Sequence, residues 1–333
     1  MIHAIMQTLA LTFVAFLLVA CVRGWIRLIR RYRLGQPLLE WEPRAIVPWT
    51  VWEVVAAIAV FLFAQLLAAT AIQYWVGREP EFLFAEMTGD QWVGVFLVDS
   101  LAKLSAAGLW LLLIRRAVRA TWEDIGIQRG RILEDFWLGG AVFVILGPPV
   151  YALQALLAYW MPYEHPLIEM LQARWDPLFL LVSGLAALIV APVVEEFFFR
   201  TLLQGWFERL HTRGLSFLSA SPPPAFQVGD PPSADLPEPA EPAESAAEPV
   251  DQEGPASASE AAAKGTWPIL VTALLFALMH APHGIPALVT LTIYAVGIGY
   301  VYRQTHRLVP CIVAHLALNA VSLLALALAI LES

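Results

Sequence analysis

Three short polar clusters interrupt apolar sequence in the second half of the chain. Glu195, Glu196 and Arg200 stand in the run Glu-Glu-Phe-Phe-Phe-Arg. His280 follows Phe276 by four residues, and His315 precedes Asn319 by four. A spacing of four puts both members of a pair on one helix face. Glu196 and Arg200 can therefore pair and cancel charge in a low dielectric, while Glu195 is turned roughly 100° away and must face something else. Phe276 can pack beside His280. Gathered in a shielded cavity, a carboxylate, two imidazoles and an amide suit hydrolysis. The carboxylate can take a proton from water, with a histidine sharing or orienting the transfer. An imidazole and an amide N–H can donate to a developing oxyanion. The same glutamate and histidines can instead ligate a divalent metal such as zinc, which would activate the water. A bland reading makes all of them polar glue between helices. Three clusters in this order, on separate apolar runs, weigh against it.

The elements that must position these residues are membrane spans. Of 333 residues 59% are hydrophobic and only 14% charged, where soluble domains average about 25% charged. Eight apolar stretches stand out, at residues 2–22, 49–76, 92–114, 136–160, 177–194, 267–281, 285–302 and 309–331. A spanning helix needs roughly 20 such residues, and the fifth, sixth and seventh stretches are the short ones. Long unbroken apolar runs predict helices, because barrel strands would alternate. The expected fold is all-α: a polytopic bundle of about eight transmembrane helices in the plasma (inner) membrane. Ionisable groups in such spans face the bundle interior, a partner or water. Asp99 and Lys103, four apart in the third span, read as a self-neutralising pair. The Pro148-Pro149 pair predicts a kink in the fourth.

The net charge of −8 is a poor guide, because most of the acidic excess lies near residues 230–260. The arginines say more. Arg23, Arg27, Arg30, Arg31 and Arg33 follow the first span, Arg115, Arg116 and Arg119 the third, Arg209 and Arg213 the fifth, Arg303 and Arg307 the seventh. Only Arg78 and Arg174 fall in the opposite loops. The positive-inside rule then places the arginine-rich loops in the cytoplasm and both termini outside. Basic residues that flank spans give no support to nucleic-acid binding. Cys21 and Cys311 lie at span ends and make no disulfide framework. Leu18-Val19-Ala20-Cys21 has the look of a lipoprotein processing site, but the arginines follow the apolar run instead of preceding it, so the first span reads as a retained anchor.

Residues 1–135 read as an N-terminal transmembrane scaffold and residues 136–333 as the part that carries the chemistry. A short outer loop at 162–176 suits an interfacial helix, with His165 an ordinary loop histidine. Residues 219–264 are rich in Pro, Ala, Ser and Glu and hold almost no large apolar side chain. That composition cannot bury enough surface to fold, so the segment reads as a disordered acidic cytoplasmic insertion.

The ordered triplet Glu-Glu-x-x-x-Arg, Phe-x-x-x-His and His-x-x-x-Asn resembles the motif set of the CPBP family, the CAAX-protease and bacteriocin-processing intramembrane proteins. The resemblance covers roughly residues 177–324. It implies an all-helical endopeptidase with its site inside the bilayer, acting on a membrane-associated protein or peptide. Carried over, Glu195 is the catalytic glutamate, His280 its partner in activating water, His315 and Asn319 the oxyanion supports, and Glu196 and Arg200 positioning groups. The family has been described both as glutamic and as metal-dependent proteases. The long insertion between the first two motifs departs from the pattern, although flexible insertions cost little closure entropy. His283 is an imidazole that the motif does not require, and Pro282 is expected to end the helix before it. Two other functions fit the polar groups. One is a catalytically silent immunity or scaffold protein of the same fold. The other is a proton-coupled transporter, which would be expected to show internal repeats; none is seen.

Overall fold

The computed structural model describes residues 2–77, 87–161, 177–213 and 265–332. The acidic insertion and the 162–176 loop with His165 lie outside the described residues. Among those described, 85% are helical and none is in a strand. The helices are α1 (Ile2–Arg33), α2 (Val51–Val76), α3 (Gly89–Ala117), α4 (Ile132–Trp160), the composite α5 (residues 177–213), α6 (Trp267–Met279), α7 (Gly284–Thr305) and α8 (Leu308–Glu332). Seven are long and apolar enough to cross a membrane. The eighth, α6, is apolar but has only 13 residues, about 20 Å of helix against a hydrocarbon core of about 30 Å. Large apolar side chains face outward, among them Leu62, Phe63, Leu66, Leu101, Trp137 and Leu156. In water such a surface would be a liability; in lipid it is the required exterior.

Local sequence sets the boundaries. Thr50 and Glu53 form a capping box that starts α2, and Thr88 and Gln91 form another that starts α3. Each satisfies backbone N–H groups that the first helical turn leaves open. Gly77 closes α2 at φ 69°, a left-handed position suited to glycine. Helix α4 continues through Pro148 and Pro149. Pro149 has no N–H for the carbonyl of Ile145, and Trp25 of α1 fills the place, donating Nε1–H to that oxygen at 3.0 Å. Asp99 and Lys103 pair at 2.7 Å on α3, as their spacing predicts.

Helix α4 packs against α1, α7 and α8, α2 and α3 form a hairpin beside α5, and α6 and α7 form another. One apolar core joins α4, α7 and α8 through Val142, Phe143, Tyr294, Ile298 and Leu318. A second joins α2, α3, α5 and α6 through Ala57, Trp110, Phe197, Phe199, Leu202 and Phe276. Close approach of α4 to α8 depends on Gly139, where an added Cβ would lie 2.6 Å from the Pro310 carbonyl oxygen. Gly139→Val should therefore force the helices apart and cost about 1–3 kcal/mol, the usual penalty of overpacking. Thermal unfolding in detergent checks this, and an unchanged melting temperature would show the contact to be dispensable.

The arginine-bearing ends of the helices meet in one layer. The connection between α1 and α2 runs through it as a strap. Glu42 bonds Arg131 and Arg307, and Arg307 also pairs with buried Asp135. Arg209 of α5 donates to the carbonyls of Val47, Pro48 and Trp49. Trp49, fully buried, donates its indole N–H to the Leu202 carbonyl. The loop before α4 meets the α7–α8 turn at Gly126, whose φ of 89° and backbone contact to Leu308 leave no room for a side chain. Gathering of these ends on one side agrees with the arginine bias in the sequence.

Candidate active site

Helix α5 carries the two glutamates, and it is not a regular α-helix. π-helical turns at Ala186–Val190 and Phe197–Gln204 flank the α-helical turn Ala191–Glu196. Turns of this kind add a residue to the helical repeat and recur at functional sites. In the first, Ala191 N–H bonds Ala186 O, five residues back. Pro192 comes next and has no N–H to give Ala187 in the same register. Asn319 of α8 supplies the donor, its Nδ2 lying 2.8 Å from the Ala187 oxygen. The chain at the glutamates is thus anchored to α8 by one motif residue.

Glu196 and Arg200 pair as their spacing predicts, Arg200 Nε to Glu196 Oε2 at 2.9 Å, with both side chains fully buried. The other Glu196 oxygen meets His315 Nδ1 at 2.8 Å. This contact joins the first motif to the third and was not foreseen from the sequence, where Glu196 had only Arg200 as a partner. It places the Nδ1–H of His315 on the carboxylate and leaves Nε2 pointing elsewhere. His280 sits just past the end of α6, which stops at Met279, ahead of Pro282. Its Nδ1 lies 2.9 Å from the Phe276 carbonyl oxygen, so its Nε2 is also left free of the backbone.

Both Nε2 atoms point toward Glu195. Its Oε2 lies 3.8 Å from His280 Nε2 and 3.9 Å from His315 Nε2. Among the described residues that oxygen is buried and has no hydrogen-bond partner, while the side chain as a whole keeps 26% of its surface. Phe276 wedges the histidines in place, its ring 4.7 Å from that of His280 and 5.6 Å, edge-on, from that of His315. The ring of His283 lies 5.7 Å from that of His280, tilted 35° to it. Glu195, Glu196, Arg200, His280 and His315 therefore converge. Asn319 stands one turn from His315 with one amide N–H spent on Ala187. The carboxylate oxygen and the two nitrogens are donors of the kind that bind a divalent metal, and each imidazole is braced through Nδ1 as metal-bound histidines are. Their separations exceed the roughly 3.4 Å edge of a tetrahedral zinc site, and no group of three His, Cys, Asp or Glu among the described residues is close enough to hold an ion. Glu195, His280 and His315 would have to draw in by a few tenths of an ångström to do so.

Residues 177–222 and 255–321 match the type II CAAX prenyl endopeptidase Rce1-like family. Over these two segments the chain is similar to an Rce1-like domain. All seven motif residues lie within the matched segments, which take in roughly a third of the sequence. The match agrees with the CPBP-type motif order and supports a membrane protease, and the seven apolar helices make the chain polytopic. No curated protein and no solved structure matches it. The strap and helices α1 to α4 lie outside the Rce1-like segments, yet the strap touches them through Arg209 and Leu202. Phe276 packs beside His280 as its place one turn earlier predicts, whereas its contact with His315 was not foreseen from the sequence.

Proposed function

We propose that this protein is an intramembrane endopeptidase of the plasma (inner) membrane that hydrolyses a peptide bond of a membrane-associated protein or peptide. The observation that carries the reading is the convergence of Glu195 Oε2 with Nε2 of His280 and of His315, beside the ring of Phe276. A carboxylate oxygen without a partner in such surroundings is costly and needs a use. In the proposed reaction, water held between Glu195 and His280 gives a proton to Glu195 as its oxygen attacks the scissile carbonyl carbon. The carbonyl electron pair moves to oxygen, and the charge that develops there is met by the second N–H of Asn319 and by the Nε2–H of His315 in its doubly protonated form, whose Nδ1–H stays on Glu196. Collapse of the intermediate breaks the C–N bond, and Glu195 returns the proton to the leaving amine. Glu196 and Arg200 hold His315 in place. A zinc ion bound by Glu195, His280 and His315 would lower the pKa of water at the same point.

The test is purified full-length protein in liposomes, offered membrane peptides with and without a prenylated C-terminus, products mapped by mass spectrometry. Cleavage at a defined bond is expected, and a chelator arm then reports whether an ion is required. Solute movement across the liposome without cleavage would turn the reading to a transporter. Absence of both, with folded protein, would leave a catalytically silent scaffold.

A further inference from the structure

Below the glutamates, α5 carries a stripe of buried polar side chains spaced four residues apart: Glu196, Arg200, Gln204 and Glu208. The first three are fully buried and Glu208 nearly so. Only Glu196 and Arg200 belong to a motif. The wiring of the stripe turns on Gln204. Its Nε2 donates to Glu208 Oε1 at 2.9 Å and to the Gly299 carbonyl of α7 at 2.8 Å. Both amide hydrogens are then spent. Two acceptors on the nitrogen side fix which way the amide faces, so Oε1 is turned to Arg200 and accepts from Nη1 at 3.3 Å. Arg200 gives Nε–H to Glu196, and Glu196 accepts from His315. Among the described residues Nη2 of Arg200 has no hydrogen-bond partner. This buried guanidinium is therefore held by one carboxylate and one amide. Gly299 makes the junction possible, since an added Cβ would come within 3.1 Å of both Arg200 Nη1 and Gln204 Oε1.

We propose that Gln204 is a positioning residue of the site. It fixes the guanidinium of Arg200, through it the carboxylate of Glu196, and so the direction in which His315 presents Nε2 to Glu195. Its effect on turnover rests on the protease reading above, whereas its effect on the His315 ring does not. Outer contacts of this kind are typically worth 10- to 100-fold in activity. An apolar replacement removes one of the two groups that hold Arg200, and lets the guanidinium and Glu196 swing together. Substrate contacts stay as they were, so the loss falls on the chemical step.

The experiment uses full-length protein, labelled with ¹⁵N-histidine and purified in detergent, as wild type, Gln204→Leu and Gly299→Ala. The His315 Nδ1–H resonance is assigned by its absence from His315→Gln. Gln204→Leu is expected to lower kcat for peptide cleavage about 10- to 100-fold with KM unchanged, and to broaden or remove that resonance. Gly299→Ala should give the same pattern, because its methyl group displaces the Gln204–Arg200 contact from the α7 side. It carries the measurement should Gln204→Leu fail to fold. Wild-type kcat with an undisturbed resonance overturns the proposal. So does a lowered melting temperature with full kcat in the folded fraction, the mark of a residue that only supports the fold. Loss of the resonance when no form of the protein, wild type included, cleaves peptide upholds the positioning and refutes the protease reading instead.

Discussion

Glu195→Gln should reduce peptide turnover by roughly 10²- to 10⁴-fold, the range that general base catalysis supplies, with the melting temperature near that of wild type. Glutamine keeps the shape of the side chain and loses only the group that takes a proton. Folding has little stake in the lost charge, because Oε2 has no hydrogen-bond partner among the described residues and its nearest polar neighbours are imidazole nitrogens at 3.8 and 3.9 Å. The amide can even donate to one of those nitrogens. The measurement is single-turnover cleavage in liposomes beside a melting curve of the same preparation. Cleavage at the wild-type rate would falsify the assignment of Glu195 as base and remove the main support for the mechanism.

Glu196→Gln should show the opposite balance. The residue lies next door in sequence, but its two oxygens accept from Arg200 Nε and His315 Nδ1. Glutamine offers one acceptor and one donor, so it keeps Arg200 Nε–H only by turning its N–H to His315 Nδ1, which must then carry no proton and accept. The substitution also leaves the Arg200 cation without its carboxylate in a region with no solvent exposure. Breaking a buried pair by removing one partner costs about 3–5 kcal/mol, a large part of the stability of most domains. A strong fall in melting temperature and in yield of folded protein is expected, with turnover lost as a consequence. A Glu196→Gln protein as stable as wild type would show that Arg200 finds its counter-charge elsewhere.

The contrast between adjacent glutamates was legible in the sequence, since one residue of separation on a helix turns the side chains about 100° apart. The bundle was legible for a similar reason. Apolar runs of spanning length admit few alternatives in lipid, and polar residues within them must turn inward. Glu195, His280 and His315 could be picked out because each costs too much in an apolar run to be there without a partner. What stayed hidden depends on which helices touch. Nothing in the run Leu202-Leu203-Gln204 marks that amide as the link between Arg200 and Gly299, because helix ends often carry a polar side chain. Arg44, which bonds the Tyr302 hydroxyl at 3.2 Å, sits in a loop where arginine reads as a charge facing solvent. The π-turns on α5 were invisible to an argument built on a repeat of 3.6 residues, and so was the donor that Ala187 needs from Asn319. Helix α6 was counted as a span by composition, yet it is too short to reach across.

Two prolines give the assembly something that apolar faces do not. Leucine against leucine is nearly indifferent to sliding, since a shift along the helix axis trades one dispersion contact for another. A carbonyl stripped of its own helix's N–H behaves differently, because an unpaired peptide oxygen in hydrocarbon costs several kcal/mol. Pro149 exposes Ile145 O to Trp25, and Pro192 leaves Ala187 O to Asn319. Each is a socket that its donor fits at one depth, with Cys21 Sγ reaching the first as well, at 3.7 Å. Together they act as pegs along the membrane normal, setting α1 against α4 and α8 against α5 to within the tolerance of a hydrogen bond. The height at which His315 meets the glutamates is thereby fixed by a missing N–H in the neighbouring helix.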